Sequence, residues 1–211
     1  MPKSQPFEQH LYRYESWFDR HPNAYDAELR AVKQLLPSQG NGVEIGVGTA
    51  RFAAPLQIRF GVDPSFKMAK MARQRDIEVV MGTAENLPLK SSEFDFALMV
   101  TTVCFVDDIR RSFLEMLRIL KPASPVIIGF VDRVSPLGQF YYKHKEKNVF
   151  YKHATFYSVD EIVYNLEHVG FKDFEFRQTI FGNSLEVSVS EPVVPGFGTG
   201  GFVVVKAKKP Q

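Results

Sequence analysis

Val43-Glu44-Ile45-Gly46-Val47-Gly48-Thr49-Ala50 decides how this chain folds. An apolar run is closed by an acid, and two glycines follow two positions apart. Residues 42–45 read as a short buried strand, and Gly46 to Ala50 as the turn that leads into a helix. Glycine lets a backbone turn sharply and come close to a ligand. Amides left free at a helix start would then face that ligand. A dinucleotide fingerprint, Gly-x-Gly-x-x-Gly, needs its third glycine at position 51, where Arg51 stands. The pattern that fits is acid-x-Gly-x-Gly-x-small, through Glu44, Gly46, Gly48 and Ala50.

The flanking segments repeat a strand-then-helix rhythm. Residues 59–63 form a second short strand ending in Asp63, nineteen positions after Glu44 (63 − 44). In nucleotide-binding α/β folds an acid near that offset accepts hydrogen bonds from ribose hydroxyls, and a carboxylate has two oxygens to offer. Pro64-Ser65 equally lets Asp63 cap the helix expected over 65–75. In that helix Met68 suits either the core or an adenine ring. A third strand follows at 77–81. Residues 94–103 are almost continuously apolar, as a central parallel strand buried on both faces would be. Thr101, Thr102, Cys104 and Phe105 stand at its carboxyl end, where open α/β sheets bind ligands. Thr101 is therefore an expected ligand neighbour, and Phe105 an expected cover. Asp107 and Asp108 suit caps of a helix over 108–120, and 126–132 reads as a fifth strand. The alternation predicts a parallel, doubly wound sheet.

The two ends and one interruption differ. Phe7, Leu11, Tyr14, Trp17 and Phe18 recur at helical spacing, His21-Pro22-Asn23 breaks the run, and 24–36 reads as a second amphipathic helix. Core packing accounts for this segment. A flap over the ligand accounts for it too, with Tyr14, Trp17 and Tyr25 as ring faces for a cation. Residues 133–158 alternate basic and aromatic residues. An insert over the pocket, a solvated amphipathic helix and an RNA surface all fit, the insert best. Its candidates for substrate contact or a general base are Tyr141, Tyr142, Tyr151, His144 and His153. Ser158 and Glu161 form a capping box for a helix ended by Gly170. Strands at 171–180 and 201–208, joined by a loop over 182–200, predict a closing antiparallel hairpin.

Composition narrows the class. A chain of 211 residues, 45% hydrophobic and 24% charged, suits one globular domain over 1–211. A net charge of +2 gives no field that demands nucleic acid or a membrane. The single Cys104 excludes an intrachain disulfide and argues against a cysteine-based zinc site; no metal is expected. A cytoplasmic setting fits that cysteine usage. No apolar run nears the ~20 residues of a membrane span, and the first residues lack a signal peptide's apolar core.

Glu44-x-Gly46-x-Gly48, Asp63, Gly82-x-Ala84-Glu85-x-Leu87-Pro88, Phe94-Asp95 and Lys121-Pro122 stand in an order and spacing that resembles the class I S-adenosylmethionine-dependent methyltransferases, in particular the UbiE/type 11 group. The likeness spans roughly residues 24–208. Ala50 stands for the last glycine, and Ala123-Ser124 for a usual Gly-Gly. The resemblance implies a Rossmann-like seven-stranded sheet, mostly parallel with the last strand reversed, and helices on both faces. It implies S-adenosylmethionine as cofactor, with S-adenosylhomocysteine as product. Glu44, Gly46, Gly48, Asp63, Pro64, Met68, Ala84, Glu85 and Thr101 are expected around it, Glu85 at the adenine amino group and Ala84 at the ring nitrogens. Tyr14, Tyr25, Phe105, Tyr141 and Tyr151 are expected toward a methyl acceptor. In-line transfer to a nitrogen or oxygen of a small molecule is the expected reaction, by a monomer or homodimer, without nucleic acid. An RNA or protein methyltransferase using residues 140–153, or a nucleotide-binding module without chemistry, stays open. Thr101-Thr102-Val103-Cys104 stands where methyltransferases of base amines carry Asp/Asn-Pro-Pro-Tyr. Cys104 reads as a small core residue rather than a nucleophile, and no general base is named.

Overall fold

A computed structural model describes residues 4–182 and 191–211. Three helices come first: α1 (Gln5–Gln9), α2 (Leu11–Arg20) and α3 (Pro22–Leu35). Then follow β1 (Gly42–Ile45), β2 (Phe60–Asp63), α4 (Phe66–Arg73), β3 (Glu78–Met81), β4 (Phe96–Val100), α5 (Ile109–Ile119) and β5 (Pro125–Val131). The chain ends with α6 (Pro136–His144), α7 (Val159–Val169), β6 (Lys172–Thr179), β7 (Val194–Pro195) and β8 (Phe202–Lys208).

The strands form one sheet in the order β3-β2-β1-β4-β5-β8-β6-β7. The first five are parallel, and β8 runs antiparallel to both β5 and β6. This is the expected doubly wound sheet with its last strand reversed. It has eight strands rather than seven because β7 adds a two-residue edge, pairing Arg177 with Pro195 and Gln178 with Val194. The loop expected over 182–200 hid it, since proline and glycine crowd that stretch and a strand with proline survives only at a sheet edge. Part of that loop, residues 183–190, lies outside the described residues.

Side chains alternate across the sheet, so both faces are buried. On one face Ala97, Met99, Val126, Ile128, Val203 and Val205 pack with Phe113, Met116 and Ile119 of α5 and Ile162 and Leu166 of α7. On the other, Leu98, Val100, Ile127, Phe202 and Val204 pack with Ala27, Ala31 and Leu35 of α3 and Ala69 and Ala72 of α4. The capping box forms as expected: Ser158 Oγ accepts from Glu161 N at 3.2 Å, and Glu161 Oε2 accepts from Ser158 N at 2.8 Å. Gly170 adopts φ +110° beyond the end of α7.

One local expectation is corrected. The glycine turn leads into a string of turns over 51–57, not a helix. Pro55 has no amide to donate and disfavours a helical residue before it, and Gln57 sits at φ +60°. Among the described residues no helix is long and apolar enough to cross a membrane.

The topology places the site. From β1 the sheet grows one way to β2 and the other way to β4, and the crevice beyond the carboxyl ends of such strands is where ligands bind. Gly46–Gly48 leave β1 there, and Thr101–Thr102 leave β4.

Candidate active site

A cavity of about 460 Å³ opens at this fork, within the range that buries a drug-sized ligand. Its floor is two loops in close contact. Gly46 has φ +72°, and a Cβ there would lie 2.3 Å from Cγ2 and Oγ1 of Thr102. Thr102 Oγ1 in turn donates to Gly46 O at 3.2 Å. Thr101 stands at φ +50°, uncommon for a β-branched residue; strain of this kind gathers at functional sites. The loop amides do not face the cavity as a free cradle. Gly46 N and Val47 N donate to Val62 O, Ala50 N to Val47 O, and Gly48 N to Asp63 Oδ2. The glycines therefore serve close approach.

Asp63, only 7% exposed, accepts from Gly48 N and Ser65 N at 2.8 Å each. Ser65 is the residue that caps α4, accepting from Met68 N at 3.3 Å. Asp63 keeps one lone pair or more on each oxygen and lines the cavity with Pro64 and Met68. Burial pushes its carboxyl up to about 6, against the pull of the two amides. Across the cleft lie Thr83, Ala84 and Glu85. Glu85 Oε1 accepts from Asp107 N and Asp108 N at 2.7 and 3.4 Å, so half of this acid holds the start of α5. Asp108 caps α5, accepting from Arg111 N at 3.0 Å.

The N-terminal helices roof the cavity, fastened by two acids. Glu8 on α1 accepts from Ser65 Oγ at 2.5 Å and Lys67 N at 3.1 Å, at the start of α4. Glu15 on α2 accepts from Arg51 at 2.6 Å, from Arg75 at 2.7 Å and from Thr49 Oγ1. Burial alone would raise Glu15, but those three donors bring it down to about 2. Rings close the roof. Phe7 meets Phe105 at 4.9 Å and Phe150 at 5.0 Å, and Tyr151 stacks on Phe105 at 6.0 Å.

Most expected residues thus line one cavity: Gly46, Gly48, Asp63, Pro64, Met68, Ala84, Glu85 and Thr101 with Tyr14, Phe105, Tyr141 and Tyr151. Glu44 and Tyr25 are corrections. Strand alternation turns Val43 and Ile45 to one face and Glu44 to the other, where turns 51–57 cover it. It is 2% exposed, its Oε2 has no hydrogen-bond partner among the described residues, and burial raises it well above the ordinary carboxylate range. Tyr25 faces the same turns, its hydroxyl donating to Arg51 O. His144, His153 and Tyr142 are exposed outside the cavity; His144 Nδ1 pairs with Phe140 O at 2.8 Å. Cys104 is buried, and its Sγ donates to Thr101 O at 3.2 Å. The residue missed is Glu28. It lies in the cavity wall at 4% exposure, and burial pushes it up to about 8. An acid inside the apolar stripe Ala24, Ala27, Ala31, Leu35 was the signal.

Two stability measurements follow from this geometry. Gly46→Ala should lower the unfolding free energy in urea by about 2 kcal/mol, from the left-handed penalty plus the Thr102 clash; an unchanged midpoint would contradict that packing. Glu28 is protonated in both states below its unfolded value of 4.5. As pH rises, the unfolded chain loses the proton first, and stability falls until about 8. Glu28→Gln should therefore match the wild type near pH 4 and exceed it by about 4 kcal/mol at pH 8. An equal effect at both values would contradict the burial of this acid.

Known proteins agree with the geometry. The family model for a methyltransferase domain matches residues 43–128. A crystal structure from Thermotoga maritima, described as a "SAM-dependent methyltransferase, possible histamine N-methyltransferase", is 53% identical. It superposes with a TM-score of 0.95 over 98% of this chain and 99% of its own. An uncharacterised protein of Methanocaldococcus jannaschii is 42% identical over 96% of this chain and 98% of its own length. A Haemonchus contortus phosphoethanolamine N-methyltransferase bound to S-adenosyl-L-methionine shares the fold at 16% identity, with a TM-score of 0.63 over 88% of this chain and 53% of its own. By the glycine turn, the acids beyond it and these likenesses, the chain belongs to the class I S-adenosylmethionine-dependent methyltransferases.

Proposed function

We propose that the chain methylates a nitrogen or oxygen atom of a small molecule. The observation that carries this is the shape of the cavity. Gly46, Gly48, Asp63, Ala84 and Glu85 line it together with aromatic rings, and residues of α1 and α2 close over it. The nucleoside side fits the cofactor: the glycine turn packs closely on Thr102 and Tyr14 beside the cavity, and Asp63 keeps lone pairs for a ribose diol. Glu85 Oε2 is left to accept from an exocyclic amine, and Met68 lies beside it. S-adenosylmethionine, when bound, supplies a methyl group on a positively charged sulfur that leaves as a neutral thioether.

The protein's own part is orientation. Holding two partners at near-attack distance is worth ~7–11 kcal/mol, and the fastened roof does this. Burial raises the phenols of Tyr14, Tyr141 and Tyr151, so at neutral pH they stay protonated and act as donors rather than bases. That favours an acceptor with a lone pair already available, and nitrogen over oxygen. The description of the Thermotoga relative, which names an amine acceptor for that protein, supports the same choice. We propose a monomer or homodimer, and the lone thiol suits the cytoplasm.

Calorimetry tests the reading. S-adenosylhomocysteine should bind the wild type with a micromolar Kd, about 8 kcal/mol. Asp63→Ala should weaken it at least ~30-fold, about 2 kcal/mol. Raising the salt should change methyl transfer little, whereas a nucleic-acid acceptor would lose affinity steeply. No heat with the wild type would overturn the proposal.

A further inference from the structure

We infer that the acceptor carries an organic ammonium group, held against Glu28 within a collar of aromatic rings, while the methyl group goes to a different atom of the acceptor that has a free lone pair. This rests on the methyl-transfer reading above and gives it a substrate class. Glu28 projects from α3 between Ala24, Ala27 and Ala31, all fully buried. It nonetheless lines the cavity. Other buried acids have donors: Asp63 takes two amides, Glu115 takes Arg118 and Leu87 N, and Asp132 takes Val134 N; Glu44 has an unpartnered Oε2 but does not line the cavity. Glu28 has none among the described residues, and burial is the only influence on its ionisation. A buried carboxyl without a partner is costly, and folds keep such groups chiefly where a ligand completes them.

The surroundings select the sign of that ligand. Tyr14, Trp17, Phe18, Phe140 and Tyr141 line the same cavity. Tyr141 packs against Tyr151 and Phe156, at ring-centroid distances of 5.1 and 6.4 Å. The charge of Glu28 is felt at Tyr141 and Tyr151, which places it on the aromatic side. Ring faces attract cations, and an ammonium beside Glu28 would draw its carboxyl back to the ionised form. His21, Arg13 and Arg20 also line the cavity, but both arginines are exposed, at its rim. A neutral acceptor would leave the Glu28 carboxyl uncharged at neutral pH, and an anion would find no buried cation beside it to balance its charge.

The test uses the full chain saturated with S-adenosylhomocysteine and three probes of one shape: 2-phenylethylamine, 2-phenylethanol and 3-phenylpropanoate. The amine should bind at least tenfold more tightly than the alcohol, and the carboxylate least. Glu28→Gln should weaken the amine at least 30-fold while S-adenosylhomocysteine and the alcohol stay within twofold. Glu28→Asp, which keeps the charge, should recover part of the loss. Absent amine binding, equal or tighter binding of the alcohol or carboxylate, or an amine indifferent to Glu28→Gln would overturn the inference. So would loss of S-adenosylhomocysteine in a cooperatively folding Glu28→Gln, which would give this acid to the cofactor's own ammonium. Failure of the wild type to bind S-adenosylhomocysteine would instead remove the methyl-transfer reading beneath it.

Discussion

Two backbone amides from different loops meet on one carboxylate. Gly48 N, from the turn after β1, and Ser65 N, at the start of α4, both donate to Asp63 at the end of β2. Asp63 is thereby fixed where the crevice opens, and it fixes the glycine turn in return. The arrangement is costly, since burial holds its carboxyl well above the ordinary range. Elsewhere in the core such an acid would be a liability. Here it leaves two oxygens facing a cavity with their positions set before any ligand arrives, which is what orientation requires.

The same economy governs the roof. α1 and α2 are short helices that would be marginal alone. They are held by acids that reach across the cavity's edges: Glu8 to the start of α4, Glu15 to Arg51, Arg75 and Thr49. Phe7 on α1 then meets Phe105 and Phe150, Tyr14 on α2 meets Phe150, and Tyr151 stacks on Phe105. Polar clasps at the rim and aromatic contacts over the centre narrow the opening of the cavity. Charge inside it acts strongly, and Glu28 lies there.

How much of this was legible in the sequence divides along physical lines. Strand β1 was read to its exact residues because Gly42–Ile45 is bounded by turn formers, and α7 because Ser158, Glu161 and Gly170 are local signals. Asp63 was legible from its offset alone. Glu44 was misplaced because a strand's alternation, not its motif, decides which face a side chain takes. The helix expected after the glycine turn does not form because Pro55 interrupts it and Gln57 turns left-handed. Arg51 served to exclude a dinucleotide, yet its work is to clamp Glu15, a pairing across 36 positions that no local pattern carries. Glu28 stood in plain view within an apolar stripe, but its lack of a partner is a property of the packed fold.

The most direct measurement is a crystal structure of the chain with S-adenosylhomocysteine. The ribose hydroxyls are expected within hydrogen-bond distance of Asp63, the adenine between Met68 and Ala84, and the sulfur toward the rings of Tyr14 and Tyr141. A nucleoside seated away from Asp63, or bound outside the roof of α1 and α2, would contradict the site described.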